Sequence, residues 1–160
     1  MTEPQVFGKL ALVIDSEPGA RAAIRELLES RGHDVVHASN GLAGLELLQR
    51  LPTSFSLVLV DLEVNGFPGL AVVETLRIFR PELPVLCMSR RVTAVPNGCL
   101  RKPIDHEALD ALLNPAAAAG VDWALSVDEE TLLEAQTRYG SGGDLVEAAL
   151  QLSKKLPNQD

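Results

Sequence analysis

Basic residues are scarce: 14 Lys and Arg stand against 22 Asp and Glu, for a formal charge of −8. Neutralising nucleic-acid phosphates takes clustered Lys and Arg, so this balance argues against a broad nucleic-acid-binding surface. Long apolar runs are also missing, and no stretch reaches the roughly 20 residues needed to cross a bilayer. The opening MTEPQVFGK carries no basic run leading into an apolar segment, so no membrane partner is expected and the expected location is the cytoplasm. Cysteine occurs twice, at Cys87 and Cys99, without the spacing of a redox or zinc pair, which leaves two buried free thiols. His33, His37 and His106 are scattered, with no metal-ligand spacing, and read as ordinary surface residues. No glycine-rich phosphate loop is present.

What the sequence does contain is a regular alternation. With 160 residues, 46% of them hydrophobic, it can build one ordinary core and a modest appendage. KLALVI, from Lys9 to Ile14, is short and apolar enough for a strand buried on both faces, and it ends at Asp15. After Pro18 the apolar residues Ala20, Ala23, Ile24, Leu27 and Leu28 follow the spacing of one helical face, with Gly32 as a stop. DVVHA then reads as a strand, GLAGLELLQRL as a helix and FSLVLV as a third strand ending at Asp61. A helix presenting Val72, Val73 and Leu76 follows, then the strand PVLCM, the short strand GCLRK, and the helix DHEALDALL. Uniformly apolar strands alternating with helices predict an α/β fold, a doubly wound parallel sheet between two helical layers.

In such a sheet ligands bind beyond the carboxyl ends of the strands. Here those ends carry Asp15 and Glu17 after the first strand, Asp61 after the third, Ser89 after the fourth and Lys102 after the fifth. Two converging carboxylates suit a hard cation such as Mg²⁺, which binds through carboxylate, phosphate and water oxygens. A phosphoryl group arriving on Asp61 would have its charge spread by the metal and Lys102, while the Ser89 hydroxyl donates to a phosphate oxygen.

IDSEP, LVLVDLEVNGFPG, the serine after the fourth strand and the pair Lys102-Pro103 together resemble the response-regulator receiver family, over about residues 8 to 113. The resemblance implies a flavodoxin-like sheet of five strands in the order 2-1-3-4-5. It implies that Asp61 is the phosphoacceptor, Asp15 a metal-site acid, Ser89 the hydroxyl that senses the phosphoryl group, and Lys102 the site cation joined to Pro103 by a cis bond. The backbone carbonyl of Glu63 would complete a metal shell of Asp15, Asp61 and Glu63 around Mg²⁺. The protein would then be a two-component phosphorelay module rather than an enzyme, taking its phosphoryl group from a histidine kinase or phosphotransfer protein and signalling through protein–protein contacts.

Four departures from the family pattern bear on that expectation. Ser16 stands where a second acid is usual, so metal binding should be weaker unless Glu17 compensates. Lys102 follows Ser89 by only 13 positions, and RRVTAVPN contains Pro96, so the fourth helix reduces to a loop or single turn. Cys99 replaces the aromatic residue usual three positions before the lysine. Arg90 follows Ser89 where a small residue is usual, placed either to gate phosphate access or to bind the phosphoryl group. These changes leave two readings open: a receiver with altered signalling, or a pseudo-receiver acting as a phosphorylation-independent interaction or dimerisation module.

The receiver is expected to span residues 1–113, with NPAAAAG (114–120) as a linker and a mostly helical extension over 121–160. In that extension VDWALSV reads as a strand or extended arm, with helices EETLLEAQTRY and DLVEAALQLSKKL after it. Residues 114–160 hold three basic residues, Arg138, Lys154 and Lys155, against eight acids, so the tail is not expected to bind DNA. Trp123, Leu132, Leu133, Leu145, Ala149 and Leu152 are expected to form a small apolar surface. It would pack on the receiver where helix four is depleted, or on a second copy in a homodimer.

Overall fold

The structure, a computed structural model, describes residues 9–91, 99–113, 128–139 and 144–156. The apolar runs form β1 (Lys9–Ile14), β2 (His33–Ala38), β3 (Leu57–Asp61), β4 (Val85–Ser89) and β5 (Cys99–Arg101). All pair in parallel, in the order β2-β1-β3-β4-β5, so the expected doubly wound, flavodoxin-like α/β sheet is what the chain builds. Every residue of β3 and β4 is buried, as a strand covered on both faces requires.

Between the strands lie α1 (Pro18–Glu29), α2 (Gly41–Arg50), α3 (Gly69–Phe79) and α4 (His106–Leu113). Pro18 opens α1, where its missing N–H leaves no hydrogen bond unmade, and Gly32 takes a φ of 81° in the turn after the helix. Asn40 caps α2 by accepting the Ala43 N–H at 2.9 Å, and Asp105 receives the Ala108 N–H at 3.1 Å at the start of α4.

The sheet divides the core by strand alternation. Leu12, Ile14, Val58, Val60, Cys87 and Cys99 face α2 and α3, packing with Leu45, Leu48, Val72 and Leu76. Ala11, Val13, Leu57, Leu59, Met88 and Leu100 face the other side, against Ile24 and Leu28 of α1 and Leu109 of α4. Successive residues of one strand point to opposite faces, so burying both faces forces the apolar runs seen in the sequence. Cys87 and Cys99 are buried, outside any disulfide, and opposite one another in the β4–β5 register.

The two helices of the extension are α5 (Glu129–Tyr139) and α6 (Leu145–Ser153). Asp144 caps α6, accepting the N–H groups of Val146 and Glu147 at 3.0 and 3.3 Å. Leu145 and Ala149 join the core cluster of α2 and α3, while Leu152 packs with Ile78 of α3 and Ala135 of α5. Phe79 and Tyr139 meet edge-on, ring centroids 6.4 Å apart. The apolar face of α6 lies on α3 and α2 of its own chain, so part of the expected apolar surface is covered by the receiver itself. Leu133 is 65% exposed and takes no part in that surface. Trp123 and the strand-like VDWALSV, and residues 92–98 of the shortened helix-four segment, lie outside the described residues.

One further correction concerns His33. It is buried rather than a surface residue, because it opens the edge strand β2 beneath the end of α1. Burial, then the Lys9 charge, hold its pKa below the usual histidine value of 6.5. No described helix is long and apolar enough to cross a membrane.

Candidate functional site

Parallel strands deliver their carboxyl ends to one edge of the sheet, and there the polar residues collect. Asp61 and Ser89 are the last residues of β3 and β4, Asp15 directly follows β1, and Lys102 directly follows β5. Asp15, Asp61, Ser89 and Lys102 are all buried, which for charged groups demands partners. Lys102 supplies them: its Nζ lies 2.7 Å from Asp15 Oδ2, 3.3 Å from Asp61 Oδ2 and 3.9 Å from Glu17 Oε1. The Lys102-Pro103 peptide bond is cis.

The backbone completes the first coordination of both acids. The Glu17 N–H donates to Asp15 Oδ1 at 2.9 Å, and the Glu63 N–H donates to Asp61 Oδ1 at 3.0 Å. Each bond spans two residues, so each strand end curls into a short turn that pins its own carboxylate. Burial nevertheless raises the Asp61 pKa above its usual 3.8, outweighing the Glu63 N–H and the Lys102 charge. For Lys102, burial alone would lower the pKa, but the Asp15 hydrogen bond and the charges of Asp61 and Asp15 together raise it above 10.5.

Oxygen atoms of Asp15, Glu17 and Asp61 all lie within 4.8 Å of one another. Three carboxylates against Lys102 and the Arg90 guanidinium leave an excess of negative charge, and an all-oxygen donor set fits a hard divalent cation such as Mg²⁺. Glu17 thus stands where compensation for Ser16 would have to come from. The Ser16 hydroxyl itself turns to the Asn65 N–H, a long contact of 3.4 Å that links the loops after β1 and β3.

On the far side of Asp61 a second cluster forms around the Glu63 side chain. Ser89 Oγ donates to Glu63 Oε2 at 2.6 Å, and the Arg90 N–H donates to Glu63 Oε1 at 2.7 Å. Ser89 Oγ also accepts the Arg91 N–H at 3.1 Å. The Arg90 guanidinium reaches away to Glu17 Oε2 at 2.9 Å, an exposed pair across the mouth of the site. Sequence reasoning considered only the backbone carbonyl of Glu63. Its spacing from Asp61 carries no signal that its carboxylate reaches the end of β4.

Close approach of backbone to backbone also shapes the site. At Gly69, the first residue of α3, a Cβ would collide with the Asp61 carbonyl oxygen and lie 2.8 Å from Leu62 Cα. Gly66, with a φ of 89°, makes the preceding turn possible.

The family model for the response regulator receiver domain matches residues 11–114. The chain is 31% identical over 116 residues to the transcriptional regulatory protein ZraR of Klebsiella oxytoca, covering 67% of this chain and 26% of that protein. It is 29% identical over 141 residues to ZraR of Escherichia coli, covering 82% and 31% respectively. The chain therefore spans less than a third of the length of these curated relatives. In fold it is similar to a receiver domain protein from Clostridium thermocellum, with a TM-score of 0.58 at 24% identity, covering 69% of this chain and 95% of that one. The receiver domain of the hybrid histidine kinase CckA gives a TM-score of 0.55 at 26% identity, covering 65% and 94%. With five parallel strands in the 2-1-3-4-5 order, acids and a lysine at their carboxyl ends, and a family match running from β1 through α4, the chain belongs to the response regulator receiver domain family.

Proposed function

We propose that Asp61 accepts a phosphoryl group from the phosphohistidine of a histidine kinase or phosphotransfer protein, in the cytoplasm, and that the chain signals by the change this makes in its protein contacts. The observation that carries the reading is the position of Asp61: buried at the end of β3, ionically tied to Lys102, with Asp15 and Glu17 beside it. Lys102, 3.3 Å from Asp61 Oδ2, balances the charge that develops as the carboxylate reacts. In the transfer a carboxylate oxygen of Asp61 bonds to phosphorus as the phosphorus–nitrogen bond of the donor imidazole breaks, and that nitrogen takes up a proton.

Asp15, Asp61 and the Glu63 backbone carbonyl, with Glu17 in place of the family's second acid, would hold the Mg²⁺. The ion would supply charge neutralisation to the phosphoryl oxygens. The Ser89 hydroxyl, next to the Glu63 carboxylate, would receive a phosphoryl oxygen. Receivers as a family work with histidine kinases or phosphotransfer proteins, and the curated relatives carry much more chain than this one, so DNA regulation is not carried over.

The test is intact-protein mass after incubation with Mg²⁺ and acetyl phosphate. The expected result is a single phosphoryl adduct on wild type and none on Asp61→Asn. Absence of an adduct on wild type at high Mg²⁺, with donor proteins as well as acetyl phosphate, would sink the proposal.

A further inference from the structure

The Glu63 carboxylate is anchored at both oxygens by donors at the end of β4, the strand beside the one that ends in Asp61. Oε2 accepts from Ser89 Oγ at 2.6 Å and Oε1 from the Arg90 N–H at 2.7 Å. The first distance is that of a hydroxyl bonded to an ionised oxygen. The same residue's N–H holds Asp61 Oδ1, so the side chain spans from the acceptor to the end of β4. The corner between Asp61 and the end of β4 is thus an anion site, and the anion in it belongs to the protein.

Resting on the assignment of Asp61 as acceptor, we infer that Glu63 is an internal competitor for the phosphoryl group. It occupies the Ser89 and Arg90 donors, and a phosphoryl group must displace it before those donors become available. Three consequences meet at this residue. Like charge keeps the incoming phosphoryl oxygens and the carboxylate apart. Two hydrogen bonds to a charged group must be given up before the phosphoryl group gains the same two. The Arg90 guanidinium is engaged with Glu17 across the mouth, so its hydrogen bond goes to that carboxylate and only the Arg90 backbone N–H to Glu63. Ser89 is meanwhile held in place from both sides, since Oγ also accepts the Arg91 N–H at 3.1 Å. Ser89 and the Arg90 N–H are therefore already turned toward an anion before any phosphoryl group arrives.

The experiment is a calorimetric titration of the full chain with beryllofluoride, an unreactive phosphoryl mimic, in saturating Mg²⁺. Wild type is compared with Glu63→Ala and with the neutral isostere Glu63→Gln, each checked for folding by circular dichroism. Removing the competitor frees two charged-group hydrogen bonds, so Glu63→Ala should bind roughly tenfold more tightly or better, with Glu63→Gln tighter than wild type by a smaller factor. If Glu63→Ala fails to fold, Glu63→Gln alone carries the comparison. Equal or weaker binding by the folded variants, with wild type binding normally, overturns the competitor role and leaves the acceptor assignment standing. Binding by none of the three proteins overturns the acceptor assignment and the competitor role with it.

Discussion

Leu145 donates its backbone N–H to the side-chain carbonyl of Gln49 at 2.9 Å, across 96 positions of chain. The bond joins the first residue of α6 to α2, and the Leu145 side chain beneath it is 1% exposed. Helix α6 is consequently part of the hydrophobic core on the α2–α3 side.

Leu145→Ala should therefore destabilise the whole chain by about 2–5 kcal/mol, the usual cost of emptying a fully buried leucine position. Chemical denaturation followed by far-ultraviolet circular dichroism should show one transition, shifted as a unit. An unchanged transition for the sheet, with a separate early loss of helix, would mean that α6 unfolds independently.

The buried charges at the site make opposite contributions that two substitutions separate. Lys102→Met strips the cation from between Asp15 and Asp61, leaving uncompensated buried carboxylates, and should cost about 3–5 kcal/mol at neutral pH. Asp61→Asn removes a carboxylate that burial disfavours and should stabilise by on the order of 1 kcal/mol. The pH dependence follows from the raised Asp61 pKa: the folded chain holds this proton more tightly than the unfolded chain does. Wild-type stability from this group therefore falls as pH rises from 3.8 through the raised value, and the advantage of Asp61→Asn opens over the same interval. Lys102 acts in the other range. Its contribution is complete below 10.5 and is lost as pH rises through its raised value. Denaturant midpoints measured across pH for the three proteins check both windows.

Gly69→Ala tests how tightly the backbone holds the acceptor. The added methyl meets the Asp61 carbonyl oxygen and Leu62 Cα, backbone atoms that cannot rotate aside. The expected loss is about 1–3 kcal/mol, as for other overpacked positions, together with slower adduct formation at Asp61 in the acetyl phosphate assay. Gly19→Ala, where a Cβ meets nothing within 4 Å, is the control and should be neutral or slightly stabilising. Equal behaviour of the two variants would show that the α3 start does not constrain the acceptor.

Much of the architecture was legible because two simple patterns encode it. The ALVI of β1 and the LVLV of β3 are unbroken apolar runs because these residues are covered on both faces of the sheet, and the one buried polar residue, Asp61, comes at the end of β3 where Lys102 pairs with it. Asp15, Asp61, Ser89 and Lys102 could be grouped before any coordinates because parallel strands send all their carboxyl ends to one edge. Gly32 and Pro18 marked helix limits through backbone geometry alone. The amphipathic pattern of α6 likewise revealed that Leu145, Ala149 and Leu152 would be covered.

What covers them was decided only by the tertiary structure, as was the burial of His33 and the reach of Glu63 to Ser89 and Arg90. Periodicity records that a face is hidden from water, whereas the identity of the covering surface depends on shape and on chain paths many residues apart. A carboxylate's partner is set in the same way, by distance and direction in space. Glu63 and Ser89 are 26 positions apart in the chain and 2.6 Å apart in the fold.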